Sequence, residues 1–286
     1  MATIRQVRQR IKVAKNIQQI TKAMKTVAAA RLKKAQNRVT LARPYAASMR
    51  EMMIGLSQIT GTSFQEIRTP RNIGFLIITA DRGLAGSYNS TMLRRAAELL
   101  KGYDKERVKL YVVGRKGIQF FQRRGFNVVQ EFHINNTGAT VTEAKEITRT
   151  VRTAYDTEEV DELYMLYTKF FSAMSQKPID VQLLPIQPPK VEVATIQETN
   201  EDYIFEPDAE TLLKNLLPRY VEGQIFQALL ESTASEHGAR MTSMTSATDN
   251  AGKMITSLTL QLNRARQANI TREISEIVGG AEALKG

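Results

Sequence analysis

Cysteine and tryptophan are missing from this chain of 286 residues, and it has only two histidines, His133 and His237. Without cysteine there is no disulfide, no thiol catalysis, no thiolate zinc site and no iron–sulfur cluster. Two histidines cannot build a multi-histidine metal centre. No apolar run approaches the ~18 residues of a membrane span; the longest, Ile73–Ala80, has the length of a strand. The N-terminus is strongly charged and lacks the apolar stretch of a signal peptide. These absences lead us to expect a soluble, cytosol-type protein with little catalytic hardware, and 42% hydrophobic residues suffice for a core.

Acidic residues are missing where basic ones are densest. The first fifty residues hold 13 Lys and Arg and no Asp or Glu; Glu51 is the first acid. Residues 51–205 are balanced, and 206–286 carry 8 basic against 10 acidic side chains, so the entire net charge of +11 originates in the first segment. Such a segment calls for an acidic counter-surface: nucleic acid, anionic lipid or acidic protein loops.

That basic segment, from Ile4 to Leu56, reads as one long helix. Ile11, Ala14, Ile17, Ile20, Met24, Val27 and Leu32 recur at steps of three to five residues, with good helix formers between them. Pro44 is the one breaker, where a kink is expected. Gly61-Thr62-Ser63 reads as a loop. The period then changes. Strands are expected at 73–79, 109–114, 127–132, 162–171 and 180–185, with a short pair near Val191–Gln197 and Asp202–Phe205. Helices between the early strands run to about 101, over 116–124 and over 142–155. This alternation indicates an α/β domain with a mostly parallel, Rossmann-like sheet covered on both faces.

From Asp208 the helical period returns and persists to about Ala283, with a bend expected at Pro218. A helix of roughly 70 residues would be ~105 Å long, too long for one small domain to cover. Two long terminal helices bracketing the α/β domain pair most simply as an antiparallel coiled coil. The expected organisation is an N-terminal coiled-coil helix over 1–60, the α/β domain over 70–207 and a C-terminal coiled-coil helix over 208–286. Judged by hydrophobicity the seam is poor, with Ala, Thr, Met and His at many positions and no strict heptad.

Candidate chemistry is sparse. Asp81-Arg-Gly-Leu-Ala-Gly-Ser-Tyr-Asn89 lies between a strand and a helix, but it matches neither dinucleotide nor P-loop spacing. It reads as a tight turn capped by a polar helix start. His237 beside Glu236 invites an acid–base reading, yet no second partner is visible, so it reads as a packed or partner-facing residue; His133 reads as a surface residue. We therefore expect no catalytic residue, no cofactor and no metal. The basic helix invites a nucleic-acid reading, but Tyr45 is the only aromatic among the first sixty residues, so a stacking platform is missing. A membrane-surface helix would want Trp or Phe on its apolar side. An acidic protein collar around a helical rod fits best; a basic coiled-coil protein associated with nucleic acid is the alternative, and an enzyme with a Rossmann-like domain comes third.

Four motifs then carry a resemblance. Ile4-Arg5 with Arg8–Ile11 and Lys15-Asn-Ile-Gln-Gln-Ile-Thr-Lys-Ala-Met-Lys-Thr-Val-Ala-Ala-Ala-Arg31, the Asp81–Gly86 turn with Asn89, Ser235-Glu-His-Gly-Ala-Arg-Met241 with Ala247-Thr-Asp-Asn-Ala251, and Arg264–Ala281 stand in order along the whole chain. Together they resemble the gamma subunits of F-type ATP synthases. The resemblance implies a non-catalytic rotor shaft. Its terminal helices penetrate a ring of three alpha and three beta subunits, and its α/β domain meets the epsilon subunit and the c ring. It further implies beta-subunit contacts at Met24 and Lys25 and at Arg266, Gln267, Thr271 and Glu273, and a c-ring contact at Tyr203 and Glu206. Nucleic acid is not among the implied partners. Membrane association is through the complex alone, peripheral, at the cytoplasmic face of a bacterial cell membrane. Without cysteine the thiol switch of chloroplast-type versions is excluded. Gly238 stands where the family commonly has Ala.

Overall fold

A computed structural model describes residues 3–60, 68–135, 138–186 and 208–283. The expected loop at Gly61–Ser63, the strand pair near Val191–Gln197 and Asp202–Phe205, and the candidate residues Tyr203 and Glu206 lie outside the described residues. Two helices frame the chain, α1 (Ile4–Thr60) and α5 (Ala209–Ala283); Pro44 and Pro218 lie inside them without ending either. Between them come β1 (Ile73–Ile78), α2 (Tyr88–Leu100), β2 (Val108–Val113), α3 (Arg115–Gln122), β3 (Val128–Phe132), α4 (Val141–Asp156), β4 (Glu162–Phe170) and β5 (Gln176–Leu184). The chain divides into two compact units: residues 29–240 form one, and residues 1–28 with 241–286 form the other.

The larger unit is built on a five-stranded sheet in the order β3-β2-β1-β4-β5. The first four strands are parallel and β5 runs antiparallel to β4. All six residues of β1 are buried, as expected of a central strand covered on both faces. On one face Phe75 and Ile77 pack with Leu110 and Val112 against Met92 of α2 and Phe121 of α3. The antiparallel edge has a local cause: Phe171 and Ser172 donate their amides to Ser175 O, closing a turn too tight for a crossover. β5 is longer than its apolar stretch suggests. It begins at Gln176 and includes Pro178, which an edge strand tolerates because one side of its backbone has no ladder to complete. Two buried polar groups fix the sheet's entry and exit. Asp161 accepts from Arg71 N (2.8 Å) and Asn72 N (3.0 Å) ahead of β1. Thr79 Oγ1, just beyond β1, donates to Val113 O (2.9 Å) and accepts from Gly117 N (2.9 Å).

In the smaller unit α1 and α5 run antiparallel. Thr248 lies against Thr21, Oγ1 to Oγ1 at 2.9 Å, and Gly252 faces Gln18. Burial along α1 corrects the seam read from hydrophobicity. Val7, Ala14, Thr21 and Ala28 are buried at intervals of seven, and Ala35 and Met49 continue the interval in the larger unit. Ile11, Leu32, Val39 and Met53 fall on the complementary heptad position, buried or half-buried. A heptad therefore runs along α1, broken at Lys25, which is exposed while Met24 beside it is half-buried. It is hidden because Thr21 and Gln18 occupy two of its positions while Ile17, Ile20 and Val27 point outward, about half exposed.

Candidate functional site

The middle of α5 is seated on the sheet by polar side chains. β4 stays in register with β1 only as far as Leu166, then continues for four residues to Phe170. Its backbone along that extension is taken up by α5. Thr168 N donates to Ser232 Oγ (3.4 Å), Ser235 Oγ donates to Thr168 O (3.1 Å), and Phe170 N donates to Glu231 Oε2 (3.4 Å). Glu231, Ser232 and Ser235 are buried. Open α/β sheets take ligands beyond the carboxyl ends of their strands, where the strand order reverses. Here β1 and β4 meet at such a reversal, and a helix of the same chain bonds to the end of β4.

The Asp81–Asn89 turn serves the same seat. Leu84 and Gly86 adopt φ of +61° and +55°, and Asn89 Oδ1 accepts from Ala80 N at 3.0 Å while its amide donates to Arg82 O. The polar helix cap expected there is not made. Ser87 precedes α2 without a side-chain cap bond, and it is Asn89, inside the helix, that folds back to hold the turn. Arg240 then donates to Gly83 O (3.2 Å) and pairs with Glu236 (2.6 Å), joining the turn to α5. Burial raises the Glu236 carboxyl above its usual range, against the opposing pull of Arg240. Burial also lowers His237 to about 4, helped by the Arg240 and Arg31 cations, so the imidazole is neutral at pH 7. His237 is a packed residue, while His133 is exposed with Nδ1 3.3 Å from Asp81. Gly238 allows close approach, since a Cβ there would stand 3.3 Å from the Ala173 backbone.

The described beta-contact candidates separate into two zones of the smaller unit. Met24 is half-buried and Lys25 exposed, a turn away from the Thr21–Thr248 pair. Arg266 lies 18 residues beyond Thr248, about 27 Å along the helix at 1.5 Å per residue. There Arg266, Gln267, Thr271 and Glu273 are all exposed, and every side chain from Thr271 to Ala281 is exposed. Arg266 and Glu273, seven apart, share one face of α5; Gln267 and Thr271, four apart, share the adjoining one. Apolar residues are left uncovered in the same unit: Ile17, Ile20 and Val27 on α1, and Ile270, Ile274 and Ile277 on α5. The polar seat at Glu231, Ser232 and Ser235 was missed by sequence reasoning.

Comparison with known proteins places these features. A family model described as ATP synthase matches residues 3–284. The ATP synthase gamma chain of Desulfitobacterium hafniense is 48% identical over 289 residues, and that of Pelotomaculum thermopropionicum 45% over 288, each alignment covering both chains completely. Among solved structures, a chain from the central stalk and c-ring of the Tetrahymena thermophila mitochondrial ATP synthase is 26% identical; the match covers 80% of this chain and 99% of that one, with a TM-score of 0.62. A chain from the Euglena gracilis mitochondrial ATP synthase rotor shares the fold, with a TM-score of 0.69 at 19% identity. With its two long helices, its sheet and its whole length accounted for, this chain belongs to the ATP synthase gamma chain family.

Proposed function

We propose that this chain is the turning central stalk of a bacterial F-type ATP synthase, a non-catalytic subunit that couples ion-driven rotation of a c ring to conformational change at three catalytic sites on beta subunits. Helical segments 1–60 and 208–286 engage the ring of three alpha and three beta subunits. The α/β domain, 70–207, engages the epsilon subunit and the c ring, with Tyr203 and Glu206 on the c-ring side. The complex is held peripherally at the cytoplasmic face of the cell membrane; no helix among the described residues is long and apolar enough to cross one.

The observation that carries this reading is the surface of the smaller unit. Its α1 segment displays isoleucines and a valine to the outside, amid cations and without one acid. A coiled coil that ended at its own seam would be polar there. Turning can drive chemistry only if the shaft contacts each beta subunit differently at each angle, because a ligand shifts an equilibrium no further than its differential affinity allows. Two zones serve that purpose here: Met24 and Lys25, and some distance along α5 Arg266, Gln267, Thr271 and Glu273.

Native mass spectrometry of the complex purified through this chain tests the reading, with one copy beside three plus three larger nucleotide-binding subunits expected. A chain arriving alone, or with salt-labile nucleic acid, would overturn it. Replacing Arg266 and Gln267 together by Leu should slow ATP turnover of the assembled complex while leaving the helicity of the isolated chain unchanged. Unaltered synthesis and hydrolysis would remove both residues from the contact set.

A further inference from the structure

Two adjoining cavities, of about 50 and 170 Å³, lie within the larger unit and share Arg31, Gly138, Thr233 and His237 as walls. The smaller is also lined by Thr79 and Gly114, at the carboxyl ends of β1 and β2, the end of an open α/β sheet where ligands bind. The larger is lined by Arg31, Lys34 and Arg38 and by no acid. These three cations follow one another at three and four residues along α1, a spacing at which like charges destabilise a helix. Among the described residues none of them forms a salt bridge. Arg31 and Lys34 are exposed and Arg38 half-buried, and the Arg31 cation also favours the ionised Glu236 carboxyl from a distance. The acids of the smaller cavity are already engaged: Glu236 by Arg240 at 2.6 Å, and Asp81 by Arg115 N at 2.8 Å.

The walls are arranged rather than merely basic. Arg38 is held by Ala139 O at 3.2 Å, and its guanidinium lies against the bare Cα of Gly138, where a Cβ would stand 2.9 Å from Nη1. Gly138 has φ +103°, so side chains are disfavoured there on conformational grounds as well. His237 Nδ1 faces Arg240 Nη1 at 3.2 Å. A guanidinium only donates, so Nδ1 accepts, and the proton of the neutral ring sits on Nε2. His237 lines both cavities, and this N–H makes no hydrogen bond to a described residue while remaining open to solvent.

We propose that these cavities form a binding site for a phosphoryl group, either free phosphate or the phosphate end of a nucleotide. A carboxylate would bring one charge to three cations. A phosphoryl group brings about two, with three strong acceptor oxygens for the guanidinium forks and the His237 donor. None of the individual side chains proposed as subunit contacts lines the site, and the proposal does not depend on the rotor reading.

The test uses the full chain labelled at histidine, which gives two ring signals, His133 and His237. Inorganic phosphate and ADP are titrated separately, with chloride balancing the ionic strength. Saturable movement of the His237 signal is expected, with its pKa raised by about a unit or more in saturating ligand, because a bound anion favours the imidazolium. His133 should stay still. Arg38→Gln and Gly138→Ala should each weaken binding about tenfold or more, while the His237 signal in anion-free buffer reports whether each variant is folded. Saturation by phosphate alone identifies the free anion; tighter saturation by ADP identifies a nucleotide. A His237 signal unmoved by both ligands, or moved equally by chloride, overturns the proposal even if neither variant folds.

Discussion

The two compact units use apolar residues in opposite ways. In the larger unit β1 buries six consecutive residues, and Leu76, Ile77 and Ile78 are fully inaccessible. In the smaller unit the α1–α5 seam holds Ala14, Thr21 and Ala28, while Ile17, Ile20 and Val27 face outward. A protein that stood alone would exchange these sets, since burying an isoleucine rather than an alanine removes far more apolar surface from water. The difference teaches that the sheet unit is stabilised by its own core, whereas the helical unit leaves many of its large apolar side chains uncovered.

The sharpest way to break this contrast is in the sheet. Leu76→Ala should cost about 2–5 kcal/mol, read as a lowered urea midpoint of the isolated chain. A smaller loss would mean that the sheet core is loosely packed and the contrast overstated. Next comes pH. His237 is held near 4 in the folded chain against 6.5 in the unfolded one. Between those values the unfolded chain binds a proton that the folded chain refuses. Stability is therefore lost as pH falls through that window, by about 3 kcal/mol from this residue. The raised carboxyl of Glu236 acts in the opposite direction, its contribution declining as pH rises above its ordinary value. Subtracting the stability–pH curve of a His237→Gln variant from that of the wild type isolates the histidine; a flat difference would show that the ring is solvated.

The outward residues of the helical unit sharpen the comparison from the other side. Ile20→Ser should change the unfolding free energy of the isolated chain by no more than about 0.5 kcal/mol, yet weaken recovery of the intact complex. Equal losses in both would mean that Ile20 packs within this chain. The smallest effect is expected for single cations: Lys15→Ala should cost assembly about 1 kcal/mol or less, and nothing in the isolated chain. A greater loss would mark a buried, specific ion pair.

Much of the architecture was legible in the sequence because it rests on period. The change from three- and four-residue steps to strand-length apolar runs marked both long helices and the strands from Ile73 to Phe170. The antiparallel edge was less visible, because β5 starts in Gln176-Lys177-Pro178, which has no strand signature and owes its place to a tight turn. The heptad of α1 was hidden for the opposite reason: side-chain hydrophobicity pointed to Ile17 and Ile20, which serve an outward surface, while Thr21 and Gln18 are admitted to the seam by small or hydrogen-bonding neighbours on α5. His237 could be read as packed, but the contacts of Glu231, Ser232 and Ser235 could not be anticipated. Their partners are backbone atoms some sixty residues away, left open only because β4 outruns β1.

That unequal strand length has a mechanical consequence. Ser232 and Ser235 project from one side of α5, one helical turn apart, and both grip Thr168, while Glu231 holds Phe170 two residues further along. Turning α5 about its own axis against the sheet would have to break all three bonds together, whereas sliding it lengthwise would shear them in the same sense. Torsion is thus resisted in parallel over a single turn of helix, and the strand that receives it is tied to β1 on one side and to β5 on the other, spreading the load over the whole sheet.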